Sequence, residues 1–274
     1  MATNYNLTDL PFELLDNVYG HLGLRHKLLL AQVDDHLGNA FAYHSGPIYK
    51  NLKDIMNLHV GLPTELLGVL LKYCGHTIVH LDWNNQLAKQ IEQYCPNLKH
   101  VYVFVQDHSI ERIQSFLDQR KDSLISLTIN IDRNVPTTIL NVVGNMTALR
   151  QLKYYGFVDN NVCQLKNIEN LKELKIAHLG KKSKHSLNLL RIVSSKSKLR
   201  KLTLINVNLL PMKVNCKKIW PNLKIYSEGS YKNERDKAYI SLFKDIISLP
   251  KENVYFANIW TNNMLSVCPI WWSI

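Results

Sequence analysis

The side chains best suited to chemistry form no recognisable catalytic or metal-binding pattern in this chain of 274 residues. Five cysteines are widely spaced, odd in number and free of CxxC pairs: Cys74, Cys95, Cys163, Cys216 and Cys268. Neither a disulfide framework nor a zinc site is therefore predicted. No Walker loop, GxGxxG fingerprint, HExxH pair or GxSxG elbow occurs. We expect no catalysis by this chain, no cofactor and no metal.

A different chemistry, the binding of an anionic partner, is indicated by aromatic residues and lysines in strand-like segments. Six of them form the expected substrate-binding set: Tyr102, Phe104, Lys153, Tyr155, Lys175 and Lys201. Each neighbours buried-type apolar residues along the chain, so the six should share the open face of a sheet. Exposed aromatics are favoured anchors for binding, and lysines attract carboxylates and phosphates. An acidic or phosphorylated protein segment is the expected ligand.

These residues lie in or beside a recurring motif with apolar residues at its first, fourth and sixth positions, which we call the apolar phrase. Its copies are Ile78/Leu81/Trp83, Leu98/Val101/Val103, Leu124/Leu127/Ile129, Leu149/Leu152/Tyr154, Leu171/Leu174/Ile176 and Leu199/Leu202/Leu204, with a weaker seventh from Leu223. Successive copies start 20, 26, 25, 22, 28 and 24 residues apart. These distances lie within or near the 20–29 residues typical of leucine-rich repeats.

Helix-like stretches separate the phrases, so each unit reads as strand, turn and helix. Such a unit cannot cover its apolar face alone and must stack on its neighbours. The sequence therefore predicts an α/β solenoid over residues 49–274, with a parallel sheet on the concave face and helices outside. A strand over Asn253–Ile259 and the tail Ile270–Trp272 should form its C-terminal cap.

The first fifty residues contain three separate clusters of apolar residues, which we call the apolar bursts and which predict three short helices over residues 6–48. A bundle of this size buries little surface, so some of its leucines should stay outside as an adhesive patch. Residues 1–50 carry three Lys/Arg and five Asp/Glu, a net charge of −2. Since the whole chain carries +11, residues 51–274 carry +13. The two parts should therefore meet different partners.

The N-terminal string resembles the F-box family, whose pattern is a Leu-Pro-x-Glu-Leu-Leu opening, a hydrophobic-x-x-x-Leu end of the first helix, then Leu-Leu and Ala-x-Val. The matching positions are Leu10, Pro11, Glu13, Leu14, Leu15, Val18, Leu22, Leu28, Leu29, Ala31 and Val33. The repeats resemble the irregular leucine-rich type that often accompanies an F-box, notably in Cys95-Pro96-Asn97-Leu98.

This resemblance implies a substrate-recognition subunit of a Skp/cullin/F-box ubiquitin ligase. Such a chain docks the Skp adaptor, and through it a cullin, by an apolar surface of the F-box. The expected adaptor contacts are Pro11, Leu14, Leu15, Leu28 and Leu29. The alternative is that all five are core residues of a helical cap on the repeats.

Two other functions remain open from the sequence. One is a repeat scaffold for protein interactions that never joins a ligase. The other, less favoured, is nucleic-acid binding by the basic repeats. No secretory leader or apolar run long enough to span a membrane occurs, so we expect a cytoplasmic or nuclear protein without a membrane partner.

Overall fold

The computed structural model describes residues 6–52, 61–179, 186–193, 195–196, 198–209, 224–228 and 254–257. The chain divides into two compact units, Met1–Val103 and Phe104–Ile274. Both combine helices with parallel strands, which confirms the predicted α/β class. The tail Ile270–Trp272, expected to complete a C-terminal cap, lies outside the described residues, as does Leu223.

Three short helices open the first unit: α1 (Phe12–Gly20), α2 (Leu24–Ala31) and α3 (Asp35–Ser45). α1 begins directly after Pro11, because the fixed φ and missing N–H of proline suit a helix start. α3 begins after Asp34, whose carboxylate accepts a hydrogen bond from the Leu37 amide at 2.8 Å. α1 and α2 both pack on α3, so the three apolar bursts do correspond to three packed helices.

A fourth helix, α4 (Thr64–Cys74), packs against α2 and α3. The ring of Tyr73 lies so close to Gly38 that a Cβ at position 38 would overlap it. The Asp35 carboxylate accepts hydrogen bonds from Lys72 Nζ at 3.0 Å and from the Tyr73 hydroxyl at 2.9 Å. The first unit therefore joins the three helices to the segment that follows, and the expected domain boundary near residue 48 stays a prediction.

Strands of the first unit pair in parallel through the predicted phrase. They are β1 (Asn51–Leu52), β2 (His80–Asp82) and β3 (His100–Val105), the last ending in the second unit. Helix α5 (Ala88–Tyr94) separates β2 from β3. Leu81 aligns with Val101, so the middle apolar residues of the first two phrases share one row, and Leu52 of β1 aligns with Leu81 in the same row.

The second unit repeats the strand-and-helix alternation. Its elements are α6 (Ile110–Gln119), β4 (Ser126–Ile131), α7 (Ile139–Val143), β5 (Gln151–Gly156), a 3-10 helix (Asn160–Asn167), β6 (Glu173–His178), β7 (Ser186–Leu187), α8 (Leu189–Val193), β8 (Lys201–Ile205), β9 (Asn208–Leu209), β10 (Lys224–Glu228) and β11 (Val254–Ala257). Six strands form its main sheet in the order β4-β5-β6-β8-β10-β11, and every neighbouring pair is parallel. β11 lies inside the predicted strand Asn253–Ile259.

Register in this sheet follows the apolar phrase. Leu127 aligns with Leu152, Leu174, Leu202 and Ile225 on successive strands. Along β4 and β5 buried residues alternate with partly exposed ones, as expected for strands covered on one face only. The parallel sheet that the phrase predicts is therefore confirmed.

Asparagine side chains connect successive strand-and-helix segments at two equivalent positions. Asn97 Nδ2 donates to the His76 carbonyl at 2.8 Å, and Asn170 Nδ2 donates to the Thr147 carbonyl at 2.9 Å. Each asparagine directly precedes the first leucine of a phrase, Leu98 or Leu171. The repeated Asn-Leu pair thus supplies a hydrogen bond between segments as well as an apolar residue to the core.

Candidate docking surfaces

The N-terminal module, residues 6–48, has a core built by one face of each helix. Its fully buried residues are Leu15, Tyr19, Leu28, Ala31, Leu37, Ala40 and Phe41. The Tyr19 hydroxyl donates to the Leu37 carbonyl at 2.8 Å, and its ring lies 5.8 Å from that of Phe41. Burial raises the pKa of Tyr19 to about 12, so this hydroxyl remains a donor at physiological pH.

A polar chain joins the three helices at another point of the module. Lys27 Nζ lies 2.9 Å from His44 Nε2, and His44 Nδ1 lies 2.6 Å from Asp16 Oδ1. A lysine ammonium only donates, so Nε2 accepts and the proton on Nδ1 is donated to Asp16. The chain of contacts through His44 therefore ties α2 and α3 to α1.

Exposed apolar residues concentrate on the same module. Of the eight large apolar side chains that are exposed in the described part of the chain, six belong to it: Leu7, Leu14, Leu29, Val33, Tyr43 and Ile48. Leu14 is 50% exposed, Leu29 47% and Val33 68%. Leu29 lies on α2, and Val33 lies in the turn that follows this helix, four residues further along the chain. Exposed apolar side chains grouped in this way are typical of a protein-binding surface.

The five expected adaptor contacts separate into two groups. Pro11, Leu14 and Leu29 are exposed, whereas Leu15 and Leu28 are completely buried. The exposed positions that a partner can reach are thus Pro11 just before α1, Leu14 on α1, Leu29 on α2 and Val33 just after α2, and we call these four positions the apolar surface. Val33 was part of the sequence pattern but was not among the expected contacts. Its spacing of four from Leu29 is the signal that identifies it.

The second unit places four of the six expected substrate-binding residues on three adjacent strands. They are Lys153 and Tyr155 on β5, Lys175 on β6 and Lys201 on β8. Lys153 aligns with Lys175, and Lys201 aligns with Glu173. Lys175 Nζ lies 5.0 Å from the centre of the Tyr155 ring, a cation–π distance.

A shallow hollow lies among these side chains on the open face of the sheet. It is lined by Gln151, Lys153, Glu173, Lys175, Lys201 and Thr203, with Leu152 and Leu174 at its floor. We call it the lysine hollow. Its charged side chains are three lysines and one glutamate, or +2, so it is suited to an anion.

Tyr102 and Phe104, the other two expected substrate-binding residues, both lie on β3. Tyr102 is partly buried and belongs to the first unit, where the rings of His80 and His100 stack at 3.9 Å. Phe104 is 40% exposed and is the first residue of the second unit. Both project from the same side of β3, since positions 102 and 104 alternate with the buried Val101, Val103 and Val105.

Comparisons with known proteins give no match: no family model matches the chain, and no curated protein matches it. In the described part of the chain, no three His, Cys, Asp or Glu side chains are grouped as metal ligands would be. Nor does any helix among the described residues have the length and apolar character required to cross a bilayer. Support for a function therefore comes from the apolar surface and the lysine hollow.

Proposed function

We propose that this protein is the substrate-recognition subunit of a Skp/cullin/F-box ubiquitin ligase. Residues 6–48 are its F-box, and residues 49–274 form a leucine-rich-repeat solenoid that holds the substrate. The chain performs no catalysis. Its role is to raise the local concentration of the substrate beside the ubiquitin that the other subunits carry.

The observation that carries this proposal is the concentration of exposed apolar side chains on the module. Leu14, Leu29 and Val33 remain about half or more exposed although the module has a well-filled core of its own. Covering the exposed part of each would contribute about 1 kcal/mol, because a fully buried aliphatic side chain gains about 1.5–3 kcal/mol. Three such residues, two on short helices and one directly after a helix, fit a partner that presents an apolar groove or apolar helices.

The sheet supports the second half of the proposal. One apolar row runs through parallel strands at the repeat spacing, and the polar and basic residues between the apolar ones point to the open face. That face is where a repeat protein of this type binds its partners. The lysine hollow supplies charge on it for an anionic segment of the substrate.

The alternative, a repeat scaffold with a helical cap, is favoured by a different observation. α2 and α3 pack on α4, and Thr77 Oγ1 donates to the Gly46 carbonyl at 3.0 Å, so the helices cover the start of the following segment. A cap explains the buried Leu15 and Leu28 but gives no reason for the exposed Leu14 and Leu29. Binding to the adaptor separates the two functions.

The first prediction is that the purified chain binds purified Skp adaptor and that Leu14→Asp or Leu29→Asp weakens this binding at least tenfold. Each change removes apolar contact and would place a carboxylate in a dry interface, which costs more than the lost contact alone. Isothermal titration calorimetry measures the affinity. Leu28→Asp is not used, because Leu28 is fully buried and its replacement would disrupt the module itself.

The matched control for both variants is Phe157→Asp. Phe157 is an exposed apolar residue of the second unit, 36% exposed, so the change adds the same charge at a similar site outside the module. We expect wild-type affinity for the adaptor, with helix content by circular dichroism unchanged in all three variants. If the wild-type chain does not bind the adaptor, the ligase function is wrong and the scaffold remains.

A further inference from the structure

The lysine hollow contains a pairing that is unfavourable for the sheet by itself. Lys153 and Lys175 occupy directly aligned positions on adjacent parallel strands and project from the same face. Like charges placed opposite each other in a sheet are destabilising. A position that breaks a local rule in this way is a candidate for function, because a ligand of opposite charge converts the repulsion into attraction.

The charge count of the hollow matches a single phosphate group. Lys153, Lys175 and Lys201 contribute three positive charges and Glu173 one negative charge, so the net value is +2. A phosphorylated side chain carries about −1.5 to −2 at neutral pH. The three strands span about 10 Å, since neighbouring strands lie about 4.8 Å apart. Lys153 and Lys175 share one row, and Lys201 lies two residues back on its strand, about 7 Å along it, beside Glu173. Three long lysine side chains around this hollow can converge on one phosphate.

More positive charge lies at the beginning of the same strands. The Lys172 amide donates to the Arg150 carbonyl at 2.7 Å, and the Arg200 amide donates to the Lys172 carbonyl at 2.8 Å. These three residues therefore form a row just before the N-terminal ends of β5, β6 and β8. The row strengthens the positive potential around the hollow and would increase the rate at which an acidic segment arrives.

From these observations we infer that the lysine hollow binds a phosphorylated side chain of an acidic protein segment, held by Lys153, Lys175 and Lys201. This inference deepens the proposed function and rests on it, because the segment would belong to the substrate. A nucleic acid is the less suitable occupant. Base stacking needs an open aromatic face, and the Tyr155 ring already lies under Lys175 Nζ at 5.0 Å.

The test titrates the full-length 15N-labelled chain with a glycine–serine peptide carrying one phosphoserine and follows the backbone amide signals of β5, β6 and β8 by NMR. We expect these signals to shift and the unphosphorylated peptide to bind at least tenfold more weakly. Binding should strengthen as the pH rises from about 5.5 to 7.5, because phosphoserine gains its second negative charge near pH 6. Inorganic phosphate should compete for the same signals.

Variants of opposite expected sign make the assignment specific. Lys153→Met and Lys175→Met should each weaken the affinity for the phosphopeptide about tenfold, since each removes one charge-assisted hydrogen bond. Glu173→Gln should strengthen this affinity severalfold, because it removes the negative charge of the carboxylate from the hollow. Lys166→Met, a change at an exposed lysine of the 3-10 helix, should leave the affinity unchanged.

Three results would overturn the inference. They are the absence of shifts on β5 and β6, equal binding of the two peptides, and tighter binding of a single-stranded RNA that is lost in the same lysine variants. The titration contains no adaptor. Failure of the phosphopeptide to bind therefore does not affect the adaptor prediction. Failure of the chain to bind the adaptor likewise leaves the peptide titration interpretable.

Discussion

Replacing Lys196 with methionine should lower the free energy of unfolding by roughly 2–5 kcal/mol at neutral pH. Lys196 is fully buried, and its ammonium donates to three backbone carbonyls: Leu165 at 2.6 Å, Lys166 at 3.1 Å and Ile168 at 2.9 Å. These carbonyls lie at the C-terminal end of the 3-10 helix Asn160–Asn167, where helical partners run out. An ammonium has three N–H donors and is favoured at that end by the helix dipole.

The expected loss is the balance of two opposing effects. Methionine removes three hydrogen bonds from a charged donor, and such bonds contribute about 1.5–3 kcal/mol each. The Leu165 carbonyl keeps the Ile168 amide as a donor at 3.3 Å, and the Lys166 carbonyl keeps the Ser195 hydroxyl at 2.6 Å. Against this, methionine removes the cost of burying an ammonium, which is roughly 3 kcal/mol because burial lowers the pKa of Lys196 from 10.5 to about 8. The hydrogen bonds therefore outweigh the cost of burial.

Lys198→Met is the matched control for this change. Lys198 lies two residues away and is exposed, and its Nζ donates to the side-chain oxygen of Asn170 at 2.7 Å. We expect its replacement to cost about 0.5 kcal/mol or less. Urea denaturation followed by circular dichroism measures both variants. Equal effects at positions 196 and 198 would contradict the assigned role of Lys196.

The same lysine predicts a pH dependence whose sign can be worked out. Because the folded pKa of about 8 lies below the unfolded value of 10.5, the unfolded chain binds more protons between these two pH values. The contribution of Lys196 to stability therefore rises over this window and is constant outside it. The difference in unfolding free energy between wild type and Lys196→Met should widen by roughly 3 kcal/mol from pH 7 to above 10.5. A difference that stays constant or narrows would be inconsistent with a buried ammonium.

The strands could be predicted from the sequence because the apolar phrase and the strand register are the same physical pattern. Leu152 and Tyr154 are buried on β5 while Lys153 between them is exposed, as the phrase requires. Side chains on alternate sides of a strand follow directly from its geometry, so four of the expected substrate-binding residues could be placed on one face.

The choice between neighbouring leucines of the module could not be predicted in the same way. Leu14 and Leu15, like Leu28 and Leu29, lie about 100° apart around a helix, and an apolar stripe is wide enough to contain both. Which member is buried depends on where α3 packs, and that is a tertiary contact. The structure buries Leu15 and Leu28 and exposes the other two.

Lys196 is a second case that local sequence could not reveal. It lies in the stretch Ser194-Ser195-Lys196-Ser197-Lys198, whose composition is typical of an exposed loop. Its ammonium is held by carbonyl groups 28–31 residues earlier in the chain, at the end of the 3-10 helix. A polar stretch therefore contributes a core residue.

Glycines at helix ends also have a role that the repeat pattern does not reveal. Gly75 follows α4, and a Cβ there would lie 2.5 Å from the Tyr94 carbonyl oxygen and 2.9 Å from its carbon. Gly144 follows α7, and a Cβ there would lie 2.7 Å from the Gln164 carbonyl oxygen. In both units the glycine lets the backbone of the next helical segment approach the end of the preceding helix.

Gly75→Ala should therefore lower the free energy of unfolding by about 2 kcal/mol. The methyl group meets backbone atoms of Tyr94, which cannot turn aside as a side chain can, and overpacking of this kind costs about 1–3 kcal/mol. The reduced freedom of the unfolded chain offsets at most about 1 kcal/mol of that cost. Gly144→Ala tests the same contact in the second unit and should act in the same direction.

Gly20→Ala provides the control within the first unit. Gly20 is the last residue of α1, and beyond its chain neighbours and the backbone of its own helix no atom lies within 4 Å of where its Cβ would be. Alanine there should stabilise the protein by about 0.5 kcal/mol, since it favours the helix and meets no obstacle. The midpoints of thermal and urea denaturation should thus shift upward for Gly20→Ala and downward for Gly75→Ala. A shift of the same sign and size in both would mean that close backbone approach does not explain the glycine at position 75.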